Sequence, residues 1–426
     1  MQLNAGPSPD ERELIILPNG ARIVLDAVPN LATTAITVGI GAGARDETAD
    51  QNGLAHFLEH MTFKGAAGMN AQQIAERVED RGASANASTG YERTNYTVRC
   101  LSEDAVDMVE CALSLALSAD LPEGEIEREK QVVYQEIGEA RDEMDDRVFD
   151  LLQATAWPDH SLGRPILGEE AILKTLTRES LAGFIERHYL ADRTVVSIAG
   201  AFDRNAVIDT ATRRLEGMRT GMAVERTAPV MMARSAFEKR KAEQSMMVFS
   251  RPAPSQRDQA RFAARLLVEI MGGGMSSRLY QEIREKRGLA YAIDAYIDAY
   301  EDAGRIDVFC GCAPGDALEV QAVLKDVWAD LAENGPTEAE LARAGAVSRA
   351  AIAMSLESIA ERSASSVFEL LVHDQLMTVD WALEQTARTT IDDVRAVARA
   401  ALDGPAAAAG IGPGPAARAV TAFVDS

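Results

Sequence analysis

The sequence predicts an α+β fold made of two duplicated domains, and three observations support this prediction. Strand-like segments are interspersed with longer segments in which apolar residues recur at helical spacing. The pattern of the first half recurs in the second half at an offset of about 213 residues, which is half of the 426-residue chain. A chain of this length, with 47% hydrophobic residues, can build more than one core.

The first half begins with a predicted β-hairpin, because residues 13–28 alternate in polarity around Pro18-Asn19-Gly20. Runs rich in Val, Ile and Thr predict three further strands, at residues 33–40, 94–100 and 194–200. Helical spacing predicts four helices, at residues 71–81, 102–117, 123–156 and 171–189. Loops are predicted at residues 41–52 and 159–168, and residues 82–90 are small and polar.

The second half repeats this organisation. A strand–turn–helix pattern at residues 95–117 recurs at residues 305–331. An irregular segment of mixed charge separates the halves, so the predicted domains are residues 1–220 and 243–426, joined by a linker at residues 221–242. The counterpart of the histidine-containing segment described next, near residues 269–274, contains no His. Only the first domain is therefore predicted to bind a metal.

Residues 53–64 read Gly-Leu-Ala-His-Phe-Leu-Glu-His-Met-Thr-Phe-Lys and contain the spacing H-x-x-E-H. On a helix, His56 and His60 lie one turn apart on the same face and can bind one metal ion. Zn²⁺ suits imidazole nitrogen and keeps a position open for water, from which Glu59 can take a proton. The competing interpretation is a helix that carries two histidines by chance. Because the chain has only five His, the spacing favours a metal site of the inverzincin type.

Two histidines leave a zinc ion short of a protein ligand. In the acidic segment 123–156, Glu129 and Glu136 are seven residues apart, close to two helical turns, and so face the same way. One can bind the ion and the other can support a ligand through a hydrogen bond. Spacing alone does not choose between Glu136, Glu129 and Glu139, and a solvated charged face is the alternative.

The composition narrows the range of partners. Lys and Arg total 43 and Asp and Glu total 66, a net charge of −23, which argues against nucleic acid and favours basic peptides. Simple solubility is the alternative explanation. No apolar run approaches the ~20 residues that span a bilayer, and no secretory signal is evident. The four cysteines form no C-x-x-C pair and are predicted to be buried thiols. A cytoplasmic location is predicted, or a periplasmic one if the chain is trimmed.

These motifs resemble the inverzincin metallopeptidases, which include pitrilysin, insulin-degrading enzyme, the mitochondrial processing peptidase and many bacterial processing-peptidase-like proteins. The resemblance covers most of the chain. Besides residues 53–65, it rests on segments in the expected order: Asn86-Ala87 and residues 129–136, 160–168, 188–200, 272–279 and 284–291.

The resemblance implies specific roles for the site residues. His56, His60 and Glu136 would be the Zn²⁺ ligands, because the last ligand of the family lies about 76 residues beyond the second histidine. Glu59 would be the general base, and Glu129 would be the acid that supports the site.

Two further sets of residues are implied to contact substrate. Arg284 and Tyr291 would match a pair on the domain without metal that contacts substrate and the developing oxyanion. Residues 84–89 would match an edge strand that receives the peptide, and its predicted substrate-binding residues are Ser84, Ala85, Asn86 and Ala87. The alternatives are that Arg284 is a surface charge, that Tyr291 is an aromatic residue on a strand face, and that residues 84–89 form a flexible turn.

The predicted function is that of a zinc endopeptidase acting on unfolded or presequence-like peptides, with basic ones favoured by the charge. The resemblance implies antiparallel sheets covered by helices, and two subunits that pair into a clam-like chamber. Because one chain carries both the metal motif and Arg284 with Tyr291, we expect a homodimer in which this pair acts across subunits. The alternative function is a non-catalytic, peptide-binding subunit of a complex.

Overall fold

The computed structural model describes residues 12–221 and 225–425, which divide into two contact units. Unit 1 comprises the described residues up to Ile137, together with Pro165–Arg226 and Ile352–Val379. Unit 2 comprises Gly138–Arg164, Thr227–Ala351 and the described residues from Asp380 onward. Each unit therefore takes residues from both halves of the sequence.

The strands of the first half are β1 (Glu13–Ile16), β2 (Arg22–Ala27), β3 (Thr33–Ile40), β4 (Gly65–Ala66), β5 (Met69–Asn70), β6 (Ser84–Thr89), β7 (Thr94–Leu101) and β8 (Thr194–Gly200). Its helices are α1 (Leu54–Thr62), α2 (Ala71–Glu79), α3 (Ala105–Leu117), α4 (Glu123–Asp142), α5 (Met144–Ala156), α6 (Glu170–Leu173), α7 (Arg178–His188) and α8 (Arg204–Leu215). In unit 1 a six-stranded sheet has the order β1-β2-β8-β3-β7-β6, so β6 forms one edge.

The strands of the second half are β9 (Arg234–Lys239), β10 (Ser245–Pro252), β11 (Ala290–Ala299), β12 (Gly304–Cys312) and β13 (Ala407–Gly412). Its helices are α9 (Arg261–Gly272), α10 (Ala317–Asn334), α11 (Glu338–Ser355), α12 (Ile359–His373), α13 (Val379–Arg388), α14 (Ile391–Asp403) and α15 (Ala417–Val424). In unit 2 a five-stranded sheet has the order β11-β12-β10-β13-β9.

The two sheets repeat one topology. In each, an antiparallel set of strands is extended by one parallel pair, β2 with β8 in unit 1 and β13 with β9 in unit 2. The order β6-β7-β3-β8-β2 in unit 1 corresponds to β11-β12-β10-β13-β9 in unit 2. The predicted α+β class with duplicated sheets is therefore confirmed.

Helix α12 covers one face of the unit 1 sheet, where it packs on β3 and β8. Its Val367 and Leu370 are buried with Val24 and Val195 of the sheet. Gly39 of β3 makes this close approach feasible, because a Cβ at that position would lie 2.1 Å from Val367 Cγ1. The opposite face carries the main apolar core with α1, α3 and α8, so β3 and β8 are buried on both faces.

Helix α5 has the corresponding place in unit 2. It packs on β13, β10 and β9, and its Phe149 ring lies 5.7 Å from Phe309 of β12. Helices α9, α10, α14 and α15 form the core on the other face. Each sheet is therefore built mostly from one half of the sequence and is covered on one face by a helix from the other half.

The contact units differ from the predicted continuous domains, residues 1–220 and 243–426. Helix α5 belongs to unit 2 although it precedes residue 220, and α12 belongs to unit 1 although it follows residue 243. The predicted linker, residues 221–242, contains β9, which pairs parallel to β13 at the edge of the unit 2 sheet. Charged residues on this exposed edge obscured the alternation from which a strand is recognised.

Two helices predicted as continuous are each divided. The helix predicted at residues 123–156 breaks at Glu143, whose ψ of 109° is extended, giving α4 and α5. The helix predicted at residues 171–189 becomes α6 and α7, since the Thr177 hydroxyl accepts a hydrogen bond from the Ser180 amide and starts a new helix.

The predicted buried thiols are confirmed for all four cysteines. Among the described residues, no helix combines the length and apolarity needed to cross a bilayer.

Candidate metal centre

Helix α1 presents the H-x-x-E-H motif on the face that is not packed into the core. Its apolar residues Leu54, Phe57, Leu58 and Met61 are buried in unit 1. The helix starts at Gly53, whose φ of +91° is left-handed. The carboxylate of Glu47 accepts hydrogen bonds from the amides of Gly53, at 3.0 Å, and Ala55, at 2.7 Å, and so satisfies the first turn.

His56, His60 and Glu136 come together with their donor atoms converging. Glu136 Oε2 lies 3.7 Å from His56 Nε2 and 3.4 Å from His60 Nε2. Ligands about 2.0–2.1 Å from a tetrahedral zinc ion lie roughly 3.3 Å from each other. Within the described chain these residues form the one group of three His, Cys, Asp or Glu side chains close enough to share an ion. Two imidazoles and a carboxylate are a donor set that fits Zn²⁺.

Burial keeps His56 in the form that can bind a metal. It lowers the pKa of His56 to about 4, and repulsion from His60 contributes in the same direction. The imidazole is therefore neutral at pH 7, with a lone pair available on one nitrogen.

A chain of charges orients the second histidine. Glu129, buried at 3% exposure, has Oε1 2.8 Å from His60 Nδ1 and Oε2 2.8 Å from Lys64 Nζ. The Lys64 ammonium compensates the charge of the buried Glu129 carboxylate. That carboxylate accepts a hydrogen bond from the Nδ1–H group of His60. This contact leaves the Nε2 lone pair of His60 directed toward Glu136, an arrangement that supports metal binding.

Glu59 lies beside the three converging residues. Its carboxylate accepts a hydrogen bond from the Thr89 hydroxyl at 2.5 Å. Burial raises the pKa of Glu59 above its usual value, as does the charge of Glu136, while Thr89 and His60 act in the opposite direction. A raised pKa suits a carboxylate that takes up a proton during a reaction.

The predicted substrate strand is present as β6, an edge strand that contacts α1. Ser84 and Asn86 are exposed, Ala85 is partly exposed and Ala87 is buried. One side of β6 pairs with β7, and no described strand pairs with the other side. Such an edge can accept an extended peptide through main-chain hydrogen bonds.

Arg284 and Tyr291 lie together in unit 2. Arg284 belongs to a single turn of π-helix, Tyr280–Glu285, and Tyr291 follows at the start of β11. The guanidinium carbon is 5.5 Å from the Tyr291 ring centre and 4.9 Å from the Tyr280 ring centre. Tyr291 is 75% exposed, so its phenol faces solvent within this unit.

Sequence reasoning gave no role at the candidate metal centre to Glu47 and Lys64, and it placed Thr89 only in the predicted peptide-binding strand. Lys64 had a usable signal, because it follows His60 by one helical turn. Glu47 and Thr89 act across loops and strands, and no spacing rule links them to α1.

The fold and the converging side chains together define a metallopeptidase-like α+β protein, and comparison with known proteins gives the family. Residues 22–170 match the model of the insulinase family, peptidase family M16, and residues 175–346 match that of the peptidase M16 inactive domain. The chain belongs to peptidase family M16.

The curated relatives are named as zinc proteases. An uncharacterized zinc protease of Streptomyces coelicolor is 33% identical over 406 residues, which cover 93% of this chain and 88% of the relative. The uncharacterized zinc protease YmxG of Bacillus subtilis is 31% identical over 385 residues, covering 89% of this chain and 93% of the relative. These similarities support a zinc-dependent peptidase.

Solved structures share the fold at low sequence identity. A peptidase M16 inactive domain from Pseudomonas fluorescens superposes with a TM-score of 0.87 at 20% identity, covering 95% of this chain and 98% of that one. A protease from Helicobacter pylori gives 0.85 at 22% identity, covering 95% and 99%. Both comparisons support the duplicated α+β architecture.

Proposed function

We propose that this protein is a zinc-dependent endopeptidase that hydrolyses unfolded or presequence-like peptides. The observation that carries the proposal is the convergence of His56 Nε2, His60 Nε2 and Glu136 Oε2 beside the carboxylate of Glu59. The names of the relatives support the same activity.

Each residue of the centre has a distinct task in this proposal. A bound Zn²⁺ supplies Lewis acidity, which lowers the pKa of water and polarises a peptide carbonyl. His56, His60 and Glu136 would hold the ion, and Glu129 fixes the His60 ring through Nδ1. Glu59 takes the proton from the attacking water and passes it to the nitrogen of the leaving amine.

The substrate arrangement is part of the proposal. An extended peptide adds to the free side of β6, where the small side chains of Ala85 and Ala87 let its backbone approach. The protein acts as a homodimer enclosing a chamber, and Arg284 and Tyr291 of one subunit stabilise the oxyanion formed at the other subunit's zinc centre. With a net charge of −23, basic peptides are the favoured substrates.

Elemental analysis combined with hydrolysis of a quenched basic peptide tests the proposal. The purified protein should contain about one zinc per chain and cleave the peptide. Glu59→Gln should keep the metal and lower kcat by at least about 100-fold, because it removes the proton acceptor.

The outcome also distinguishes the alternative function. A protein that binds the peptide without cleaving it, with full zinc content, would be a non-catalytic peptide-binding subunit. Full activity in the Glu59→Gln variant would remove Glu59 as the base.

A further inference from the structure

Thr89 contacts the carboxylate of Glu59, although it lies 30 residues away in the chain. Its hydroxyl donates a hydrogen bond to Glu59 Oε2 at 2.5 Å. Within the described part of the chain, this is the one hydrogen bond that the Glu59 carboxylate accepts.

This contact has a physical consequence for the side chain. A free glutamate side chain samples many rotamers, and fixing one of them costs conformational entropy. A short hydrogen bond from a residue held in a strand favours a single orientation of the carboxylate. Proton transfer needs the acceptor within hydrogen-bond reach of the reacting water, so this orientation affects the rate.

The position of Thr89 in the fold connects the base to the peptide. Thr89 is the last residue of β6 and pairs with Thr94 of β7, so the hairpin fixes its backbone. The same strand carries Ala85 and Ala87, along which the peptide is proposed to lie. The residue that orients Glu59 thus belongs to the strand that sets the position of the peptide.

We propose that Thr89 is a positioning residue, which fixes the Glu59 carboxylate relative to a peptide bound along β6. This inference rests on the proposed function. It predicts that Thr89 governs the chemical step and leaves metal binding and peptide affinity unaffected.

Thr89→Val tests the inference, because valine keeps the branched shape and the backbone amide but removes the hydroxyl. With the zinc-loaded full chain and the quenched basic peptide, kcat should fall about 10- to 100-fold. KM and zinc content should stay at their wild-type values, and circular dichroism should show that the variant is folded at the assay temperature. Thr89→Ser restores the donor and should recover kcat to within about threefold of wild type.

Thr175→Val is the matched control, since the exposed Thr175 hydroxyl donates to the carbonyl of Ile172 and lies outside the centre. It should leave kcat unchanged. In the Glu59→Gln background, Thr89→Val should cause no further loss, because the two residues act in one step.

The possible failures are distinguishable. Wild-type kcat in Thr89→Val, or a loss that appears in KM or zinc content, overturns the inference and leaves the proposed function intact. Equal losses in Thr89→Ser and Thr89→Val also overturn it, since the hydroxyl would then be irrelevant. A zinc-loaded wild-type protein that cleaves nothing overturns the proposed function and the inference together.

Discussion

At the scale of single residues, the candidate metal centre includes side chains that would not touch a bound ion. Glu129 is buried between the His60 imidazole and the Lys64 ammonium, at 2.8 Å from each. A buried carboxylate with one partner removed is costly, and it reorganises or becomes protonated. Lys64 therefore helps to determine whether His60 is presented correctly.

Lys64→Met should weaken zinc binding by about 10- to 100-fold, which is the usual effect of removing a group that orients a metal ligand. The physical reason is loss of the charge that compensates Glu129, and with it the ordered acceptor for the His60 Nδ1 proton. Competition with a fluorescent zinc chelator measures the change. Lys64→Arg, which keeps a cation, should retain most of the affinity.

Lys325→Met provides a control, because Lys325 is exposed on α10 in unit 2. It should bind zinc as the wild type does. Unchanged affinity in Lys64→Met would mean that Glu129 orients His60 without help from the ammonium.

The candidate site shows which parts of a centre a sequence reveals. The pair His56 and His60, with Glu59, follows from helical periodicity alone. The choice of Glu136 over Glu129 and Glu139 needed the family resemblance, because every third or fourth residue of an acidic helix meets the same spacing rule. Thr89 could not be found, since its contact with Glu59 is created by the packing of β6 on α1.

At the scale of elements, the start of α1 depends on a close approach between two loops. Gly53 has φ of +91°, and a Cβ there would lie 2.8 Å from both Gly168 Cα and Leu167 O. Gly82 is also left-handed, with φ of +58°, but a Cβ there would meet nothing within 4 Å. An alanine would have a strained backbone at either position, but only at residue 53 would its Cβ also meet other backbone atoms.

Gly53→Ala should destabilise unit 1 more than Gly82→Ala, which should cost about 1 kcal/mol from backbone strain alone. The additional cost at residue 53 comes from displacing backbone atoms, for which about 1–3 kcal/mol is expected. Denaturant unfolding monitored by intrinsic fluorescence measures both variants. Equal losses in the free energy of unfolding would show that the loop at residues 165–168 moves aside without measurable cost.

A second element, α11, is anchored by an ion pair at its start. Arg278 Nε and Nη2 lie 2.7 Å and 2.8 Å from the two carboxylate oxygens of Glu340. Hydrogen bonds from Arg278 lower the pKa of Glu340 to about 2, with burial acting in the opposite direction. The arginine of the 272–279 motif thus has a structural contact that the sequence alone did not indicate.

Glu340→Gln should destabilise unit 2 by about 1–3 kcal/mol above pH 5, where the wild-type carboxylate is ionised in both states. A carboxyl group whose pKa is lower in the folded state stabilises the fold above its unfolded pKa, near 4.5. That contribution is lost as the pH falls from 4.5 toward 2. Unfolding free energies of wild type and variant should therefore converge in acid, and a constant difference across this range would contradict the assignment.

Sequence periodicity predicted most helices and strands, and it failed where tertiary contacts determine where an element begins or ends. The hairpin at residues 13–28 and the strands β3, β7 and β8 match the predictions, because Val, Ile and Thr recur in the three strands. The break at Glu143 has no Pro or Gly within four residues on either side, and the nearby Gly138 lies inside α4. Strand β9 was missed because it pairs in parallel with a strand about 170 residues away, and such pairing produces no local sequence pattern.

At the scale of the whole molecule, the proposed homodimer makes each active site depend on two chains. Arg284→Ala and Glu59→Gln would each inactivate a pure homodimer for a different reason. A mixed dimer would contain one site with an intact Glu59 and an intact Arg284 from the other subunit.

Mixing the two inactive variants in equal amounts should restore about one quarter of wild-type activity, because random pairing makes half of the dimers mixed and each has one complete site. Peptide hydrolysis measures recovery, and size-exclusion chromatography with light scattering confirms the dimer. Activity that stays at the average of the separate variants would place Arg284 in the same chain as its zinc centre, or outside the mechanism.

Helices α5 and α12 each pack on the sheet built from the other half of the sequence, so dividing the chain between its halves would affect both fragments. A fragment ending before β9 would leave β3 and β8 without the helix that shields Val24 and Val195, and the remaining fragment would leave the outer face of β13 bare. Neither piece would be a self-sufficient folding unit. Co-expressed, the pieces could complement each other, and this mutual dependence would keep a duplicated gene from separating into two independent ones.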